Sequence, residues 1–189
     1  MIDPFDITKY DLNNSELEEY LIFWVFAAGK KATTAARSLD DFLLFWRKKT
    51  GKTNPFAVVK HVGNKLPSEL KRFGVGCFNN KAITLKQLAD SGLDLKKCTL
   101  TDLEKIKGIG KKTSRCFLIH SRRNQRCAGI DTHVLKYLKS LGYEVPKSTP
   151  AGKKYDQIES IFLKLVDESG LTLPEFDLKI WTKYAKGNK

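Results

Sequence analysis

Two residue types in this sequence invite chemistry by where they stand. Lys112 lies in the first turn of a helix that opens directly after Leu103-Glu-Lys-Ile-Lys-Gly-Ile-Gly110. Asp131 follows 19 residues later, in Gly-Ile-Asp-Thr-His. A lysine amine that has lost its proton is a nucleophile and condenses with a carbonyl carbon to an imine. A carboxylate beside it can stabilise positive charge that develops in a reacting group. Each residue also has a plain reading: Asp131 as a helix cap, Lys112 as a surface cation. The glycines between the two apolar runs, Gly108 and Gly110, permit a tight turn and close approach of a ligand to the backbone. Exposed backbone N–H groups there, with the start of the next helix behind them, suit a phosphate.

The run Ile106-Lys-Gly-Ile-Gly-Lys-Lys112, followed by Ile130-Asp-Thr-His133, resembles the helix-hairpin-helix superfamily of DNA glycosylases. The size, the lack of an iron–sulfur cysteine loop and the ending Phe176-Asp-Leu-Lys-Ile-Trp181, then Gly187-Asn-Lys189, are most similar to the small archaeal and bacterial 8-oxoguanine DNA glycosylase/AP lyases. The resemblance implies an all-α fold of two helical lobes flanking a DNA-binding cleft, with the hairpin followed by the catalytic aspartate loop. It implies Lys112 as nucleophile at C1′ of a flipped nucleotide, then a Schiff base and β-elimination, with Asp131 as catalytic carboxylate. Base excision repair of duplex DNA containing 8-oxoguanine is the expected activity. Excision of oxidised pyrimidines or mismatched bases, and a DNA-binding protein without enzymatic activity, stay open as alternatives.

Further roles follow from the resemblance. His133 is expected to contact a backbone phosphate, and Phe78, Asp177, Trp181 and Lys189 to line the base pocket. Asp177 and Trp181 are four residues apart and share a helical face. Phe78 and Trp181 could equally be core residues. Lys107, Gly108, Gly110 and Lys111 of the hairpin, with Arg122, Arg123 and Arg126 of the basic link behind it, are candidates for the DNA backbone. Lys111, next to Lys112, should lower the amine's pKa while pointing about 100° away round the helix.

The elements that must position these residues are helical throughout. Residues 1–14 read as an arm with little structure of its own. Residues 15–189 read as one unit of two lobes. The middle lobe covers approximately 30–125 and includes the hairpin at 101–121; the second is built from 15–29 plus 126–189. Ser15 with Glu18, and Thr101 with Glu104, fit capping boxes. The first helix carries Leu17, Leu21, Phe23, Trp24, Val25 and Phe26 and reads as buried. No alternating strand pattern of useful length occurs.

Composition bounds the rest. The 189 residues carry 34 Lys and Arg against 21 Asp and Glu, a formal charge of +13, which favours a polyanionic partner. Cys77, Cys98, Cys116 and Cys127 form no C-x-x-C pair, so zinc and iron–sulfur clusters are not expected; Cys116 reads as a small buried hydrophobe. A metal site from His61, His120 and His133 would need all three to converge. No metal and no catalytic cofactor are expected; a monovalent cation at the hairpin is left open. No secretory signal or membrane-spanning run is visible, giving the expectation of an intracellular monomer at genomic DNA, cytoplasmic in a prokaryote.

Overall fold

The computed structural model describes residues 2–185, and among them every regular element is helical. The base-pocket expectation for Lys189 therefore lies outside the described residues. The helices are α1 Asn14–Ala27, α2 Ala32–Thr50, α3 Pro55–Val62, α4 Leu66–Arg72, α5 Phe78–Asp90, α6 Leu100–Glu104, α7 Lys111–Ser121, α8 Thr132–Ser140, α9 Gly152–Ser169 and α10 Leu173–Ala185. A single 3-10 turn, Gly63–Lys65, joins α3 to α4.

The apolar helix α1 is the hub. Leu21, Ile22, Phe23 and Phe26 are buried, which accounts for its being hydrophobic on nearly every side. It packs against α2, α3 and α5 on one side and against α7 on the other. The elements after the hairpin form a second group, with α10 packed on α7, α8 and α9. At the C-terminal end of α1, the buried Lys81 of α5 donates its ammonium to the Phe26 carbonyl at 2.8 Å. This places a cation where the helix dipole favours one. Burial, with Lys30 nearby, holds the Lys81 pKa below its usual value although Cys77 opposes this.

Both expected capping boxes form, each two residues earlier than expected. Asn13 caps α1, paired with Glu16, and Thr99 caps α6, paired with Asp102. Glu18 is held elsewhere, accepting from Asn54 Nδ2 and Phe56 N and so tying α1 to the start of α3. The amino-terminal arm differs more. It contains no helix, yet Ile7 is buried, Lys9 N donates to the His120 carbonyl at 2.9 Å, and the Tyr20 hydroxyl donates to the Ile7 carbonyl. The arm is docked on the carboxyl end of α7 because it satisfies polar groups there that would otherwise be buried unpaired.

The hairpin between α6 and α7 is held from outside by α5. Gly108 adopts φ +92°, and a Cβ there would meet Thr84 Oγ1 at 2.2 Å. The same hydroxyl donates to the Lys107 carbonyl at 2.7 Å, and Gln87 Oε1 accepts from Lys107 N at 2.8 Å. Ile106 and Ile109 turn inward and anchor the loop. Gly108→Ala therefore meets both a backbone and a steric obstacle. It should lower stability by roughly 1–3 kcal/mol, read as a fall in the urea midpoint at unchanged slope.

Candidate active site

Lys112 lies one residue inside α7, whose N-cap is Gly110 with extended backbone and no side-chain cap. On this helix Lys112, Cys116 and His120 recur every four residues, so they form one stripe. The stripe faces α1 and α10. Lys112 Nζ sits 5.8 Å above the Trp24 ring of α1, and the His120 imidazole stacks on the same indole, centroids 5.6 Å apart and planes 13° apart. His120 also reaches Asp177 of α10, Nε2 to Oδ2, at 3.3 Å, and Thr8 of the arm, Nδ1 to Oγ1, at 2.8 Å.

Asp131 arrives at this site as the N-cap of α8. Its Oδ1 accepts from His133 N at 2.8 Å and Val134 N at 3.0 Å. The cap reading therefore holds, and the same carboxylate's charge acts on Lys112. The segment before it is fixed by three devices. The Tyr155 hydroxyl of α9 donates to the Ala128 carbonyl at 2.8 Å and accepts from Ile130 N at 2.9 Å. Ala128 N donates to Glu159 Oε1 at 2.7 Å. Gly129 lies so close to α7 that an added Cβ would stand 2.2 Å from Cys116 Sγ and 3.4 Å from the Lys112 carbonyl. Glycine here is a matter of space, and it lets the aspartate loop lie directly on the first turns of the lysine helix.

Electrostatics couple the group. Burial pulls the Lys112 pKa down, while Cys116, Asp131 and Asp177 raise it, and the balance lies above the ordinary lysine value. Burial pushes the Cys116 thiol far up, so it is neutral near pH 7 and the two carboxylates carry the effect there. This corrects the expectation of an amine already lowered by Lys111. The Lys111 side chain pairs with Asp156 of α9 and lies 5.6 Å over the Tyr155 ring, so its charge is spent on α9. In the free protein Lys112 carries its proton.

The other expected site residues divide. His133 is partly buried, its ring 6.4 Å from that of Trp181, and its Nδ1 has no hydrogen-bond partner among the described residues. Trp181 also meets Phe5 of the arm edge-on at 5.2 Å. Asp177 is mostly buried, at 14 % side-chain exposure, and faces His120. Phe78 opens α5, and the cation over its ring is Lys71. The ring beside Lys112 is Trp24, which sequence reasoning left in the core. Its position within the apolar run Tyr20 to Ala27 gave no signal that its ring meets the site. The three histidines do not converge: His61 packs on Trp46, and no group of three or more His, Cys, Asp or Glu among the described residues is placed to hold a metal.

The basic link is corrected at Arg122. Its guanidinium donates to the Cys98 and Leu95 carbonyls at 2.7 and 2.6 Å, closing the connector before α6, so it is not offered to a phosphate. Arg126 makes a two-pronged pair with Asp167 at 2.9 and 2.7 Å, and Arg123 lies over Tyr10 and near Asp11. Both of those pairs are exposed and cheap to exchange for another anion. Among the described residues, Lys107 is exposed and makes no ion pair.

No family model matches the sequence. The hairpin, the lysine after its second glycine and the aspartate capping the next helix nevertheless sit in an all-helical fold that known proteins share. The chain is similar to the 8-oxoguanine DNA glycosylase/AP lyase of Methanocaldococcus jannaschii, 41 % identical over 78 residues. That stretch covers 40 % of this chain and 37 % of the relative. The crystal structure of the Methanocaldococcus jannaschii 8-oxoguanine glycosylase/lyase in complex with a 15mer DNA containing 8-oxoguanine matches with TM-score 0.67 and 27 % identity. It covers 95 % of this chain and 84 % of that one.

The fixing of the aspartate loop is testable at one atom. Tyr155→Phe removes the hydroxyl that bridges Ala128 and Ile130, leaving two buried backbone groups unpaired. The expected cost is about 1–3 kcal/mol, measured by denaturant unfolding. Hydrogen exchange at the Ile130 amide should accelerate beyond what the global loss explains.

Proposed function

We propose that this protein is a bifunctional DNA glycosylase/AP lyase that excises 8-oxoguanine from duplex DNA. The observation that carries the reading is the convergence of Lys112 and Asp131. A half-buried lysine and a capping carboxylate are held by different helices in mutual electrostatic reach, directly behind a hairpin suited to phosphate. The likeness to the archaeal 8-oxoguanine enzyme over nearly the whole fold supports the choice of substrate.

In this reading the damaged nucleotide leaves the stack and enters the space beside Trp24 and Trp181. As DNA seals the site and removes the remaining water, the proton of Lys112 passes to the departing base. The lysine nitrogen lone pair then forms the bond to C1′ while the base departs with that proton and the electrons of the glycosidic bond. Asp131 stabilises the cationic sugar as that bond breaks. Ring opening gives the imine, and loss of the proton at C2′ expels the 3′ phosphate. The hairpin amides around Gly108 and Gly110, with Lys107, hold the strand.

Borohydride present during turnover should trap a covalent protein–DNA adduct on a duplex carrying 8-oxoguanine opposite cytosine. Lys112→Gln should abolish the adduct and base release but keep tight binding. Lys111→Gln should retain the adduct. Asp131→Asn preserves a good cap and should slow cleavage on the order of 10²-fold with little change in binding. Absence of any adduct in the unaltered protein on this duplex, with an adduct on oxidised pyrimidines, would move the substrate; binding with no base release on any lesion would leave a DNA-binding protein only.

Salt separates the cations. Lys107→Gln should reduce the slope of log affinity against log salt by about one. Arg122→Gln should leave that slope in place and instead lower the unfolding midpoint.

A further inference from the structure

Asp177 stands where two roles compete. A carboxylate at the base pocket can accept a purine N–H, but the geometry of its neighbours points elsewhere. His120, 1 % exposed, holds Asp177 Oδ2 from Nε2 while its Nδ1 meets the Thr8 hydroxyl. The neutral tautomer that satisfies both neighbours donates from Nε2 to Asp177 and accepts from Thr8 at Nδ1. The imidazole cannot swing, because it is stacked flat on Trp24. Lys112, two helical turns earlier on the same face of α7, has its Nζ 5.8 Å from the ring of the same indole. Asp177 is thus oriented by a residue of the lysine's own stripe, on a helix, α10, that packs against α7.

Asp131 alone does not complete the setting of the amine. One of its oxygens already accepts two backbone N–H groups of α8, which fixes it as a cap. Asp177 is a second carboxylate whose charge acts on the amine, and its own direction is set by His120.

We propose that His120 and Asp177 are positioning residues for Lys112, with the Asp177 carboxylate serving the amine and not the damaged base. The chain Thr8, His120, Asp177 links the docked arm to the nucleophile. The proposal rests on the function argued above and adds to it a second carboxylate for the lysine, supplied by the last described helix.

A preformed abasic site in duplex DNA separates the two roles, since no base remains to be recognised. Borohydride trapping on that duplex reads the amine alone. Asp177→Asn, which keeps shape and loses charge, should slow trapping by about tenfold or more with affinity for the abasic duplex unchanged. His120→Gln, whose amide reaches the Nε2 position, should keep most of the trapping rate. His120→Asn reaches toward Thr8 but not Asp177 and should slow it as Asp177→Asn does. Should His120→Asn fail to unfold cooperatively, Asp177→Asn decides by itself. Unchanged trapping in Asp177→Asn, whether or not release of 8-oxoguanine falls, overturns the proposal. A native protein that traps on no abasic site overturns the proposed function and this inference with it.

Discussion

Much of the site hangs from one buried cation. Arg115, with 8 % of its side chain exposed, donates to Glu104 of α6 and to Glu159 of α9, each at 2.7 Å. Glu104 Oε1 also accepts from Ser114, and Glu159 Oε1 accepts from Ala128 N. One guanidinium therefore joins the hairpin's first helix, its second helix, the helix opposite and the loop that leads to Asp131. Opposite charges so poorly hydrated stabilise little against an apolar substitute, but removing the guanidinium leaves both carboxylates stranded at about 3–5 kcal/mol. What the trio supplies is register. Shift α9 by one turn and Tyr155 no longer reaches the loop, and Asp131 no longer faces Lys112.

The same cluster explains where sequence reasoning held and where it slipped. Apolar periodicity and the glycine pair located α7 and the hairpin, because those signals are local. Asp131 as the start of α8 was equally legible. The two capping boxes were found in kind but misplaced by two residues, since each region offers two registers of cap and acid. Tertiary contacts decide between them: Glu104 is taken by Arg115 and Glu18 by the start of α3, so Asp102 and Glu16 complete the boxes. Nothing within either stretch encodes that choice.

The pocket wall was less legible for a related reason. Trp24 reads as one more apolar residue of a buried helix, and the arm reads as polar chain. Their value appears only when the arm folds over α7 and brings Thr8 and Phe5 to His120 and Trp181. Arg122 gave the opposite error. A cluster of arginines suggests phosphate, but an arginine beside a connector of open carbonyls is captured by them. The +13 charge is thus a poor map of contact points, although it still describes the field that a polyanion would meet.

The closeness of Gly129 to Cys116 carries a consequence for redox chemistry. Oxidants and alkylating reagents attack thiolates that they can reach. Cys116 is covered by a glycine backbone, and burial keeps its proton on. Cys98 and Cys127 are likewise buried, with thiols raised by the same cause. Cys77, at the left-handed turn before α5, alone lies exposed. The folded chain thus separates its sulfur into three sheltered atoms and one accessible one, and the sheltered set includes the thiol one helical turn from Lys112. A maleimide dye added to the native protein would mark the lobe built on α5 and leave the chemistry of Lys112 untouched.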